Sequence, residues 1–153
     1  MEQELKTEII DKDDLEEARK LIRNSKSGNI LIRSKTTEFN RKILEYGMFR
    51  AILIDLSNKK KNLRRSSGIN INHVGIKIAA KRKISFCIDL SELRNMNNQQ
   101  IPVALAKIRT LIMLTQKYGA LISLINLRDR RNALSLLRIL GASSSHASRT
   151  LDF

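Results

Sequence analysis

The sequence predicts an α/β fold of successive βα units, either a shortened, partial βα barrel or an open parallel sheet wrapped by helices. Three observations carry this. Strand-like and helix-like runs alternate along the chain. The strand-like runs are close to continuously apolar, which suits parallel strands covered on both faces. At 153 residues the chain is shorter than the ~250 typical of a complete eight-stranded barrel, and than its ~200 minimum.

The first element is the short strand "KTEIID". "DDLEEARKLIRN" reads as a helix: Asp13 with Glu16 three residues on makes a capping box, and Leu15, Ala18 and Ile22 form one apolar stripe. Gly28 ends that unit, and "NILIRS" (29–34) is a strand. The helix "TEFNRKILEYG" sets Phe39, Ile43 and Tyr46 on one face, with Gly47 placed as its C-terminal cap. "FRAILIDL" (49–56) is the next strand. A long βα loop, "KKKNLRRSSGIN" (59–70), leads to the helix "NHVGIKIAAKRK", with Asn72 available as N-cap. The strand "KISFCIDL" follows. Next comes the long helix "PVALAKIRTLIMLTQKYG", with Pro102 in its first turn and Gly119 just past its end. "ALISLIN" is a strand, and "DRRNALSLLRILG" is a helix repeating Ala133, Leu137 and Leu140 at helical spacing. "SSSHASRTLDF" supplies a last short helix with a serine cap. Four strongly patterned strands and a weaker first one result, in a single domain covering residues 1–153.

Charge separates this domain into two parts. Residues 2–17 hold eight acids and two lysines, leaving 27 bases against 7 acids from residue 18 onward, a net of +20. The expectation is an acidic N-terminal segment (1–17) and a strongly basic body (18–153). Such a field attracts polyanions, and nucleic acid and an anionic membrane surface are the two common ones. No apolar run approaches the ~20 residues of a spanning helix, and the first residues lack the pattern of a signal peptide. An intracellular, cytoplasmic protein without a membrane partner is the expectation. The single cysteine, Cys87, lies within "ISFCIDL" and reads as a small buried hydrophobe.

Neither GxGxxG, GxxxxGK[ST] nor GxSxG occurs. The two histidines, His73 and His146, form no HxH or HxxxH spacing, whereas a metallohydrolase on this fold needs several His and carboxylate ligands at the strand ends. Asp55 and Asp89 do stand at strand C-termini; the plainer reading gives each to loop capping or to a neighbouring base. No catalytic constellation emerges, and the expectation is a chain that is non-catalytic alone and binds no metal or cofactor.

What remains is basic. Lys59, Lys60, Lys61, Arg64 and Arg65 lie in the long loop, with Lys77 and Lys81 one turn apart on the next helix. Arg128, Arg130 and Arg131 sit between a strand and a helix. Cations in a first helical turn oppose the helix dipole by a few tenths of a kcal/mol. The arginines there are a local misfit unless an anion such as phosphate fills the site. No aromatic interleaves the basic loop, so these ten residues are expected to bind an RNA or DNA backbone through phosphate and shape rather than by stacking bases.

The order of these pieces resembles ribonuclease P protein component 3, a subunit family of archaea and eukaryotes. Four passages carry the resemblance: "RRSSGININHVGIKIAAKRKISFCIDLSEL", "AKIRTLIMLTQKYGALISL", "RDRRNALSLLRILG" and "HASRTLDF". Together they cover the chain from about residue 28 onward. The chain departs from the family at "LINL", where small residues are usual, and looks short at its N-terminus by one βα unit. The resemblance implies a TIM-barrel-like fold related to metal-dependent phosphoesterases but without their metal site. It also implies another small protein subunit as partner, with the two binding the catalytic RNA that removes 5′ leaders from precursor tRNA. Magnesium is then expected with the RNA subunit, to which the endonuclease chemistry belongs. Two other readings stay open: a degenerate phosphoesterase keeping Asp55, Asp89 and His73 as residual ligands, and a basic module of another ribonucleoprotein.

Overall fold

Apolar side chains on both faces of short, consecutive strands need cover on both sides, and the chain provides it in two different ways. The computed structural model describes residues 6–57 and 68–153. Its elements are β1 (Thr7–Ile10), α1 (Leu15–Asn24), β2 (Asn29–Arg33), α2 (Thr37–Tyr46), β3 (Ala51–Leu53), α3 (His73–Arg82), β4 (Ser85–Asp89), α4 (Leu90–Arg94), α5 (Gln100–Tyr118), β5 (Ile122–Ile125), α6 (Arg130–Ile139), α7 (Ser144–Ser148) and β6 (Leu151–Asp152). All neighbouring strands pair in parallel, in the order β1-β2-β3-β4-β5-β6. Because that order never reverses, right-handed crossovers put the helices on one face. The other face is left to curl inward, and the sheet forms an incompletely closed, TIM-barrel-like half-barrel.

The helix-facing side holds the larger core. Ile30, Ile32, Ile52, Ile54, Phe86, Ile88, Ile122 and Leu124 meet Ile43, Ile76, Ile108, Leu111 and Leu137 from the helices. The inward side is a smaller cluster of Leu31, Ala51, Leu53, Cys87 and Ile125 with Phe153 laid against it. Small residues on that side let the sheet bend. Ser85 Oγ donates or accepts at 2.8 Å with Ser123 Oγ, both fully enclosed. Cys87 is buried as the sequence implies, and burial pushes its thiol up to about 12.

Side-chain caps set most helix starts: Thr36, Asn72, Asp129 and Ser143 each accept from a backbone N–H in the first turn. Gly47 and Gly119 end α2 and α5 with φ of 72° and 76°.

Two expectations are corrected, and two elements are added. The cap of α1 is Asp14, accepting from Glu17 N, one residue beyond the predicted Asp13–Glu16 box. Asp13 instead faces Lys35 at 3.0 Å. The strand predicted over 49–56 keeps only Ala51–Leu53, because Met48 is held at φ 66° on one side and Asp55 turns the chain by accepting from Ser57 N on the other. A one-turn helix, α4, follows β4 directly, since Asp89 both ends the strand and caps the helix. A sixth strand exists: β6 is two residues long, too short to show a period, and forms because β5 offers it a ladder.

Among the described residues no helix is long and apolar enough to cross a membrane.

Candidate nucleic-acid interface

The carboxylates of this chain are spent early. Lys12–Glu17, Arg19–Glu16, Arg41–Glu45 and Lys42–Glu38 pair within or beside α1 and α2, and Asp11 and Asp13 of the β1–α1 connection pair with Arg33 and Lys35 at the end of β2. The bond from Lys35 holds the Asp11 carboxyl below its usual range. Residues 68–153 carry thirteen Lys and Arg against four acids. Of those acids, Asp89 and Asp129 cap helices, Glu92 is half-buried, and Asp152 pairs with Arg130. The helices α3 to α7 therefore present cations with few carboxylates to answer them, and a field of that sign draws in phosphate.

The predicted residues divide among three places. Lys59, Lys60, Lys61, Arg64 and Arg65 lie outside the described residues. Lys77 and Lys81 are exposed on α3. Arg128 is exposed in the β5–α6 connection, and Arg130 and Arg131 occupy the first turn of α6. Arg130 finds its anion within the chain: one guanidinium nitrogen lies 2.5 Å from the Asp152 carboxylate, and another donates to Thr150 O at 3.0 Å. The misfit read from the sequence is thus answered at Arg130 by β6. Among the described residues Arg131 has no such carboxylate partner.

The structure adds an aromatic to this surface. Lys77 Nζ lies 5.2 Å from the Tyr118 ring centroid and Lys117 Nζ 5.3 Å from it, while the His73 ring stands 6.4 Å away. Both lysines are attracted by the ring quadrupole. Tyr118 belongs to α5 and Lys77 to α3, forty-one positions apart, so only helix packing brings them together.

At the C-terminal ends of the strands the acids do structural work. Burial pushes the Asp89 carboxyl up, but hydrogen bonds from Asn126 (2.8 Å) and Ser91 (2.6 Å) outweigh this and hold it below its usual range. Asp55 accepts from Ser57 N and Oγ. Burial, and then the Asp55 charge, raise Glu92. Lys107, only 4% exposed, donates to Leu56 O at 3.2 Å, and burial lowers its pKa. Its stem also runs beside Gly68, so one lysine of α5 braces both flanks of the basic loop. Asn126 and Lys107 escaped the sequence reading: a mid-helix lysine and a strand-end asparagine carry no local signal. Among the described residues no group of three His, Cys, Asp or Glu is placed to hold a metal ion.

No family model matches the sequence, and no curated protein matches it. A chain from a cryo-EM structure of archaeal ribonuclease P with mature tRNA has the same fold. It superposes with a TM-score of 0.71 at 17% identity, over 92% of this chain. The chain spans 62% of that protein's length. At that identity the likeness establishes the TIM-barrel-like fold.

Proposed function

We propose that this chain is a protein subunit of ribonuclease P that binds the RNA subunit and precursor tRNA and assists removal of the 5′ leader. The observation that carries the reading is the sparsely compensated cationic layer of α3 to α6, set on a fold also found in an archaeal ribonuclease P complex. Lys77, Lys81, Arg128 and Arg131 are the described cations best placed to meet phosphate. The undescribed Lys59, Lys60, Lys61, Arg64 and Arg65 extend the same charge. Arg130 contributes by fixing the start of α6. A second small protein subunit completes the assembly, and the cleavage chemistry, with its magnesium, resides in the RNA.

Binding through phosphates releases counterions, so affinity falls with salt in proportion to the contacts made. The test is filter binding to ribonuclease P RNA across a salt series. Lys81→Ala and Arg131→Ala should each flatten the slope of log K against log salt by roughly one unit, for any RNA sequence. Unchanged slopes in both variants would refute the interface. A parallel incubation of the chain alone with precursor tRNA and magnesium should give no cleavage. Specific 5′ cleavage abolished by Asp89→Asn would overturn the non-catalytic assignment in favour of a phosphoesterase.

A further inference from the structure

The N-terminal ends of the strands hold a second cationic feature, which begins where α3 ends, with Arg82 next to Lys81. Around the N-terminal ends of β2, β3 and β4 lies a pocket of about 430 Å³, within the roughly 300–1,000 Å³ of small-ligand sites. Two arginines, Arg50 and Arg82, are among its lining residues, and Ile30, Phe49 and Ile84 give it an apolar side.

Both arginines are positioned by the fold. Arg50 Nε lies 3.4 Å from Asn29 Oδ1, and its guanidinium sits 6.0 Å from the Phe153 ring centroid. Arg82, the last residue of α3, lies across Gly47, with a guanidinium nitrogen 2.8 Å from where a Cβ would stand. Neither forms an ion pair among the described residues. Glu45, which shares a neighbouring groove with Arg82, is engaged by Arg41 at 3.4 Å. The rim is strained as well. Met48 keeps φ at 66° with its side chain 73% exposed beside the pocket. A non-glycine residue persists in that region only where its surroundings impose it.

We propose that this pocket binds a phosphate ester, its oxygens held by Arg50 and Arg82 and its organic part resting on the Phe49 and Ile84 side. Guanidinium groups match phosphate oxygens in paired hydrogen bonds, and the apolar lining offers a base or sugar more than water does. The same chemistry is presented by an RNA strand and by a free nucleotide. The pocket shares no residue with the interface proposed above.

The test is calorimetric titration of the full chain with three probes: adenosine 5′-monophosphate, adenosine, and a single-stranded RNA oligonucleotide. The phosphate-bearing probes should bind and adenosine should not. Arg50→Ala and Arg82→Ala should each weaken binding by about tenfold or more, the loss of one charge-assisted hydrogen bond. Met48→Asp places a carboxylate at the rim from an exposed position and should weaken the same probes, so the test survives an arginine variant that fails to fold. Equal affinity for the monophosphate and the oligonucleotide assigns the site to free nucleotide. Binding of the oligonucleotide alone, with the salt slope reduced by roughly one unit per arginine, assigns it to the strand backbone. Phosphate-bearing probes that do not bind the unaltered chain, or that bind Met48→Asp and the folded arginine variants undiminished, overturn the proposal. If Lys81→Ala still weakens RNA in that case, the subunit reading stands without the pocket.

Discussion

Arg130 decides between two opposed forces, and the structure supplies the terms. As the first residue of α6 it places a cation where the helix dipole prefers an anion, at a cost of about 0.3–1 kcal/mol. Against this, its guanidinium spans the Asp152 carboxylate at 2.5 Å and Thr150 O at 3.0 Å, and so ties the two-residue strand β6 to the helix. The side chains are 42% and 38% exposed, which limits the ion pair to about 0.2–1 kcal/mol. The bond to the carbonyl adds about 1 kcal/mol. With Asp152 neutralising the cation, the dipole cost falls to the low end of its range. Arg130→Ala should therefore destabilise by about 1 kcal/mol, a drop in melting temperature of about 2–4 °C for a chain of this size. Arg131→Ala, one position on and without a described carboxylate partner, should leave the melting temperature unchanged or raise it slightly. The assay is thermal melting by circular dichroism, with Asp152→Ala and the double variant closing a cycle. Added salt should shrink the coupling. A melting temperature that rises equally for Arg130→Ala and Arg131→Ala would refute the reasoning, since the dipole term would then outweigh both bonds.

Two further outcomes follow from buried chemistry and backbone shape. His146 Nε2 lies 2.9 Å from Thr115 Oγ1, whose own proton goes to Leu111 O, so Nε2 donates and the buried Nδ1 is left without a hydrogen-bond partner among the described residues. Burial, and then the Arg149 charge, hold its pKa below 6.5. The unfolded chain then binds the proton first, so His146's contribution is intact above pH 6.5 and is lost as pH falls from there toward the lower folded value. Urea midpoints should fall between about pH 7.5 and pH 5.5, and His146→Leu should remove most of that difference; an unaltered pH dependence would disprove the assignment. Gly119→Ala meets nothing within 4 Å and carries only the left-handed penalty, about 1 kcal/mol. Gly47, at φ 72° and ψ −149°, borders a region nearly reserved for glycine, so Gly47→Ala should cost about 2–3 kcal/mol and displace Arg82. Equal melting temperatures for the two variants would contradict this.

Several features were legible in the chain because they depend on neighbours in sequence. Apolar runs bounded by Gly47, Gly119 and Gly141 marked the βα units, Asn72 announced α3, and the depletion of acids after residue 17 announced a cationic body. The fold class followed, since unbroken apolar strands joined by helices admit little besides a parallel sheet. Other features required three dimensions. β6 is a strand only because β5 and Arg130 hold it. Tyr118 joins Lys77 only because α5 packs on α3, and Arg50 meets the Arg82 pocket only because β3 and β4 begin side by side. Whether a given cation is spent on a carboxylate was equally hidden: Arg130 and Arg131 are adjacent and chemically alike, yet Asp152 pairs with one of them. Local sequence governs dihedral preference and burial period, which act over a few residues. Ion pairing, pocket formation and edge-strand pairing join residues far apart in sequence, and are settled only when the sheet curls and brings them within reach.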